Sequence, residues 1–207
     1  YKGVQAEGSM RKDFRSLGKL DRREAVRKIF RFVEFDDRLM ALSNHDGIHA
    51  VLAKIMGEPA KLFQDMGLIK PPRIGQEKPW HQDSAYFNLS PETDVVGVWI
   101  ALDEATADNG CLHVIPGSNG KGTHPHFKRR DWQICDTDIQ LDQDVMVELP
   151  PGGCLFWHGL THHGSPSNRS DMRRRALQYH YCPQSAKDIT VDERLAIYGG
   201  EGLGVEC

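Results

Sequence analysis

From Pro59 onward the chain repeats one pattern. Short apolar runs are separated by Gly, Pro, Asn and Asp: Ala60–Ile69, Trp80–Leu89, Val95–Leu102, Cys111–Ile115, Val145–Leu149, Cys154–His158 and Ala176–Tyr181. Runs of this length between turn residues predict strands, and Pro150-Pro151-Gly152-Gly153 predicts a tight reversal between two of them. Before Pro59 the pattern is helical in part. Ile48, Val51, Leu52, Ile55 and Met56 repeat at three and four, which predicts a helix from Ser43 or Asn44 that stops at Gly57-Glu58-Pro59. Asp21 is placed to cap a short helix through Lys28, and Ile29–Phe35, rich in aromatic and β-branched residues, reads as a strand. Val191–Tyr198 predicts a last short helix. Residues 1–20 read as a poorly ordered lead-in, and His124–Asp144 as a long polar insertion. The expected architecture is mainly β with flanking helices, a sandwich or barrel, in one domain over residues 1–207.

Composition narrows the class. With 207 residues, 39% hydrophobic and 27% charged, the chain suits one globular domain with a sizeable core. The net charge of −3 gives no broad basic surface, so no nucleic-acid partner is expected. No apolar run reaches the length of a membrane span, so no membrane partner is expected either. Five cysteines without a CxxC pair argue against a disulfide framework or zinc ribbon and suit a reducing, cytoplasmic setting. The chain begins at Tyr1 rather than Met, so a longer natural N-terminus is expected.

The ten histidines are the unusual feature. In Trp80-His81-Gln82-Asp83, residues two apart on a strand share a face, so an imidazole and a carboxylate converge. Two histidines and one carboxylate bind a divalent metal and leave open positions for substrates, as in non-haem Fe(II) oxygenases. A second histidine is available in Thr161-His162-His163-Gly164, where strand alternation allows only one of the adjacent pair to point inward. Arg173, Arg174 and Arg175 follow. Guanidinium suits bidentate capture of a carboxylate, and alternation groups Arg174 with Ala176, Gln178 and His180 on one face. A metal triad with an anion-holding arginine is the part list of a 2-oxoglutarate-dependent oxygenase.

These motifs and their order resemble the phytanoyl-CoA dioxygenase family. The resemblance is carried by His81-x-Asp83, Asp108-Asn109-Gly110-Cys111-Leu112 with Pro116-Gly117-Ser118, His163-Gly164-Ser165 and Arg174-Arg175-Ala176, and it runs from Ile29 to Pro183. It implies a double-stranded β-helix (jelly-roll, cupin-like) fold that uses Fe(II), 2-oxoglutarate and O2 to hydroxylate a small-molecule substrate. It implies His81, Asp83 and His163 as metal ligands and Arg174 as the clamp for the distal carboxylate of 2-oxoglutarate. It further implies cosubstrate contacts from Lys28, Met66, Trp99 and Ser165, with Gln64 and Gln82 as wall residues. Asp83 stands where related halogenases carry a small residue, which favours hydroxylation.

Other readings stay open at this level. A cupin-like metalloenzyme without 2-oxoglutarate could use the same triad, and a non-catalytic small-molecule-binding sandwich would use none of it. His45 and His49 read as helix-end or surface residues, His113 as core, His124 and His126 as part of a solvated loop or substrate entrance, and His158 as a residue preceding a turn, with a place near the metal ligands as the alternative. The insertion, taken as residues 119–144, is the natural lid, and its Lys121, Lys128, Arg129 and Arg130 suggest an anionic substrate.

Overall fold

In the computed structural model, residues 3–8 and 18–205 are described. The N-terminal part supplies strand β1 (Val4–Ala6), helix α1 (Lys19–Glu24) and strand β2 (Val26–Phe30), followed by helices α2 (Asp37–Ser43) and α3 (Asp46–Met56). Then come β3 (Ala60–Lys70), β4 (Lys78–His81), β5 (Val96–Ala101), β6 (Leu112–Val114), β7 (His126–Lys128), β8 (Trp132–Ile134), β9 (Val145–Val147), β10 (Cys154–His158), β11 (His163–Ser165) and β12 (Arg174–Pro183), with helix α4 (Val191–Tyr198) last. One sheet has the order β1-β2-β3-β12-β5-β10 and the other β4-β11-β6-β9, while β7 and β8 form a separate hairpin. Every pairing is antiparallel. The interleaved order β3-β12-β5-β10 over β4-β11-β6-β9 is the jelly-roll that the sequence leads one to expect.

The large sheet is covered on both faces. Val96, Val98 and Ile100 of β5 and Leu177, Tyr179 and Tyr181 of β12 pack outward against Ile48 and Leu52 of α3 and against Phe32, Val33, Leu39 and Leu42. The alternate residues point inward, where Trp99, Ala101 and Ala176 meet Leu112 and Val147 of the small sheet and Trp157 of β10. Alternation along β12 therefore puts Arg174, Ala176, Gln178 and His180 inside the barrel.

Several local expectations are corrected. Ile29–Phe35 is not one strand. Arg31 turns at φ +54°, and the Asp65 carboxylate accepts from the Phe32 and Val33 amides at 2.6 and 3.1 Å, which closes a 3-10 turn at Val33–Phe35. The helix expected from Asp21 to Lys28 is displaced: α1 contains Asp21, and the residues from Val26 pair with β1 and β3 instead. The second helix starts later, capped by the His45 ring accepting from the Gly47 amide, because Asp36 caps the separate helix α2 before it. The run Trp80–Leu89 breaks at His81, and Asp83 opens a 3-10 turn through Tyr86. Of the 1–20 lead-in, residues 4–6 form β1; the expectation for residues 1–2 and 9–17 lies outside the described residues. The insertion is structured: it holds the β7–β8 hairpin and buries Trp132, Ile134 and Ile139. Among the described residues, no helix is long and apolar enough to cross a membrane.

Candidate metal centre

Three donors meet where β4 and β11 pair. His163 stands opposite His81 in the antiparallel register, with ring centroids 4.2 Å apart, and the turn after His81 brings Asp83 alongside. The His81 Nε2 is 3.5 Å from Asp83 Oδ1, and the His163 Nε2 is 3.5 Å from Asp83 Oδ2. One ligand atom from each of the three lies within 4.8 Å of the others, and all three side chains are buried. The imidazole tautomers are set locally. The His81 Nδ1 donates to the Pro79 carbonyl at 2.8 Å and the His163 Nδ1 to the Thr161 carbonyl at 2.9 Å, which turns each Nε2 lone pair toward the cluster.

Protonation states also fit a cation. Burial, and then the neighbouring His163, push His81 down to about 3. Burial alone would raise Asp83, but the charges and hydrogen bonds of His163 and His180 hold its carboxyl well below the ordinary value. A neutral imidazole beside an ionised carboxylate is the donor set that a divalent metal requires.

The same cavity extends from this cluster to Arg174 and is also lined by Lys28, Met66, Trp99 and Ser165. Its basic side chains (Arg27, Lys28, Lys70, Lys78 and Arg174) outnumber its acidic ones (Glu7 and Asp83). Arg174 is 3% exposed, its Nε has no hydrogen-bond partner, and its guanidinium carbon sits 5.3 Å from the Trp99 ring centroid. Burial pulls its pKa down to about 10. Lys70, the register partner of Arg174, donates to the carbonyls of Ser165 and Pro166. A buried guanidinium is costly unless an anion pairs with it, so this end of the cavity suits an anionic group.

Two expected wall residues lie elsewhere. Gln64 lines a neighbouring groove with Phe63 and Phe87, because it stands opposite His180 on β3 and His180 is the member of that pair that reaches Asp83. Gln82 is fully buried and ties the insertion to the barrel. Its side chain donates to the carbonyls of Gly122 and Leu160 at 2.8 Å and accepts from the His124 amide at 2.8 Å, while its own amide donates to His126 Nε2 at 3.0 Å.

The model of the family described as phytanoyl-CoA dioxygenase (PhyH) matches residues 5–176. The chain belongs to the phytanoyl-CoA dioxygenase family. A probable phytanoyl-CoA dioxygenase of Caenorhabditis elegans is 31% identical over 177 residues, covering 78% of this chain and 56% of that protein. Phytanoyl-CoA dioxygenase domain-containing protein 1 of Danio rerio is 34% identical over 127 residues, covering 58% of this chain and 44% of its own length. The chain thus spans about half the length of these curated relatives. Among solved structures, EvdO2 from Micromonospora carbonacea var. aurantiaca complexed with 2-oxoglutarate is 25% identical with a TM-score of 0.68, over 79% of this chain and 69% of that one. The apo form of ThoJ, a non-heme monooxygenase, is 25% identical with a TM-score of 0.71, over 87% of this chain and 67% of that one.

In this member of the phytanoyl-CoA dioxygenase family the remaining histidines sort by contact. His162 points away from His163 and its ring lies 4.7 Å from that of His124. His126, read as part of a solvated loop or entrance, is fully buried and accepts from the Gln82 amide, so it is a structural tie. His158, the residue preceding a turn, faces Asp94 at 3.3 Å, which decides against the alternative of a place near the metal ligands. His113, expected in the core, is only partly buried and faces Asp144 at 2.7 Å. Within the basic cluster of the insertion, Arg130 pairs with Asp136 and with Glu77 outside it, Arg129 pairs with Glu201, and Lys121 donates to the neutral amide of Gln140. Sequence reasoning missed Trp157, His180 and Lys70. Alternation along β12 had already placed His180 on the face of Arg174, and that was the available signal.

Proposed function

We propose that the protein is an Fe(II)- and 2-oxoglutarate-dependent dioxygenase that hydroxylates a small molecule. The observation that carries this reading is one cavity with His81, Asp83 and His163 at one end and the buried Arg174, whose Nε has no hydrogen-bond partner, at the other. Family membership and the likeness to a structure holding 2-oxoglutarate support it.

His81, Asp83 and His163 would hold the iron on one side and leave the other side open. When bound, Fe(II) supplies the coupling of 2-oxoglutarate decarboxylation to C–H oxidation: one oxygen atom of O2 enters succinate, the other enters the product, and CO2 leaves. The chain's own contribution is binding and orientation. Arg174 would pair with the distal carboxylate through two parallel N–H donors, and the Ser165 hydroxyl and Lys28 ammonium would add donors from the same cavity. Trp99 and Met66, both buried, form apolar walls that exclude water along the cosubstrate.

Anaerobic addition of Fe(II) and 2-oxoglutarate tests the reading through the weak visible metal-to-ligand charge-transfer band. The band is expected in the wild type and is expected to need far more 2-oxoglutarate in Arg174→Ala. A wild type without the band, or an Arg174→Ala variant of unchanged affinity, would overturn the assignment.

A further inference from the structure

Asp83 has two neighbours that the metal-ligand set leaves unexplained. The Trp157 indole N–H donates to Asp83 Oδ2 at 3.0 Å, and the His180 Nε2, which also lies 3.0 Å from the Gln178 side-chain nitrogen, meets the same oxygen at 3.0 Å; a carboxylate oxygen only accepts, so facing it this Nε2 is the donor. Asp83 and His180 are fully buried and Trp157 is nearly so. The two donors come from different strands yet occupy one row of the large sheet: Trp157 on β10 and His180 on β12 are both register partners of Gly97 on β5.

The middle residue of that row explains the geometry. A Cβ added at Gly97 would lie 2.6 Å from the indole ring, closer than packed atoms approach. Glycine therefore lets the indole lie across β5 and carry its N–H to the carboxylate. His180 is held in turn by aromatic contacts, with Phe87 edge-on at 5.0 Å and Phe63 at 6.1 Å.

A carboxylate oxygen accepts about two hydrogen bonds in its plane; Trp157 and His180 are the two nitrogens at 3.0 Å from Oδ2, with the His163 Nε2 farther off at 3.5 Å. We infer that Trp157 and His180, seated by Gly97, are positioning residues that hold Asp83 as a one-oxygen metal ligand through Oδ1, the oxygen facing His81. This inference rests on the metal-site reading above. Its consequence is chemical. A carboxylate free to rotate could bind through both oxygens and occupy a coordination position, whereas the proposed reaction needs two positions for 2-oxoglutarate and one for O2. The row keeps that third position open.

Metal binding, rather than turnover, tests this. Mn(II) is titrated into the purified protein and free Mn(II) is read by electron paramagnetic resonance. The isotope-edited infrared splitting of the Asp carboxylate stretches reports one- or two-oxygen ligation. Trp157→Phe and His180→Leu are each expected to raise the Mn(II) dissociation constant about ten- to hundredfold and to narrow the splitting, whereas His180→Gln, which keeps an N–H donor, stays close to wild type. Gly97→Ala, which displaces the indole without altering either donor, is expected to match Trp157→Phe. Metal-free thermal midpoints identify any variant that has not folded, and the remaining variants then decide. Folded variants with wild-type affinity and splitting would overturn the positioning role alone. A wild type that does not bind Mn(II) would overturn the metal-site reading and this inference with it.

Discussion

Lys70 and Arg174 are register partners across β3 and β12, two buried cations side by side on the inner face of the large sheet. Burial, and then the Arg174 charge, hold the Lys70 pKa well below its ordinary value. The fold tolerates this because Lys70 has two carbonyl acceptors, while Arg174 faces the cavity.

Replacing Arg174 by Met should therefore stabilise the cosubstrate-free protein. The substitution keeps an extended apolar side chain and removes a buried charge; replacing even paired buried ions by apolar residues is neutral or stabilises by about 1–4 kcal/mol. Urea unfolding without 2-oxoglutarate measures it, and a destabilised variant would show that Arg174 already has a counter-charge.

Metal removal should be visible in stability as well. If His81, Asp83 and His163 hold a divalent ion, saturating the wild type at a hundred times the dissociation constant adds about 2.7 kcal/mol. Thermal melts with Mn(II) and with a chelator should differ in the wild type and coincide in His163→Ala.

Acid should destabilise the metal-free protein before any acidic side chain reaches its own ordinary pKa. Burial is the main cause that holds His81 and His126 down to about 3 and His162 to about 4, against an ordinary value of 6.5. Between those values the unfolded chain binds protons that the folded chain refuses. The stability contributed by these groups is thus complete above about pH 6.5 and is lost as pH falls toward the folded-state values. Each group adds a slope of about 1.4 kcal/mol per pH unit in that window. His126→Gln, which retains an acceptor for the Gln82 amide, should give a shallower fall in urea midpoint between pH 6.5 and 5; equal slopes would contradict the burial argument.

Gln82→Ala should loosen the insertion without touching a metal donor. It leaves the His124 amide and the Gly122 and Leu160 carbonyls without their partner, at a cost of about 1–3 kcal/mol for a buried unsatisfied group. Hydrogen exchange should rise around residues 122–126 while Mn(II) affinity changes little.

What the sequence revealed depended on how local each cause is. Cys154–His158 and Val191–Tyr198 were legible to the residue, the helix because Thr190 and Glu193 form a capping box within one turn. Ile29–Phe35 was misread because the turn that breaks it is closed by Asp65, a residue distant in sequence. His81 and Asp83 could be paired from their spacing even though Asp83 sits on a turn rather than a strand, since the turn and the alternation both bring it back to the same side. Trp157 and His180 could not be linked to Asp83, because their meeting depends on cross-strand register through Gly97, and no local pattern encodes register.

The pairing of His81 with His163 also bears on how the chain selects its structure. A strand that slips by one residue turns every side chain to the opposite face. In a β11 slipped by one so that Gly164 stands opposite His81, the inner face would carry no imidazole and the three-donor cluster would be lost, whereas the opposite slip would bring His162 there. Metal bound at this site would then act as a proofreader of strand alignment, rewarding the native β4–β11 pairing over the slip that removes the imidazole.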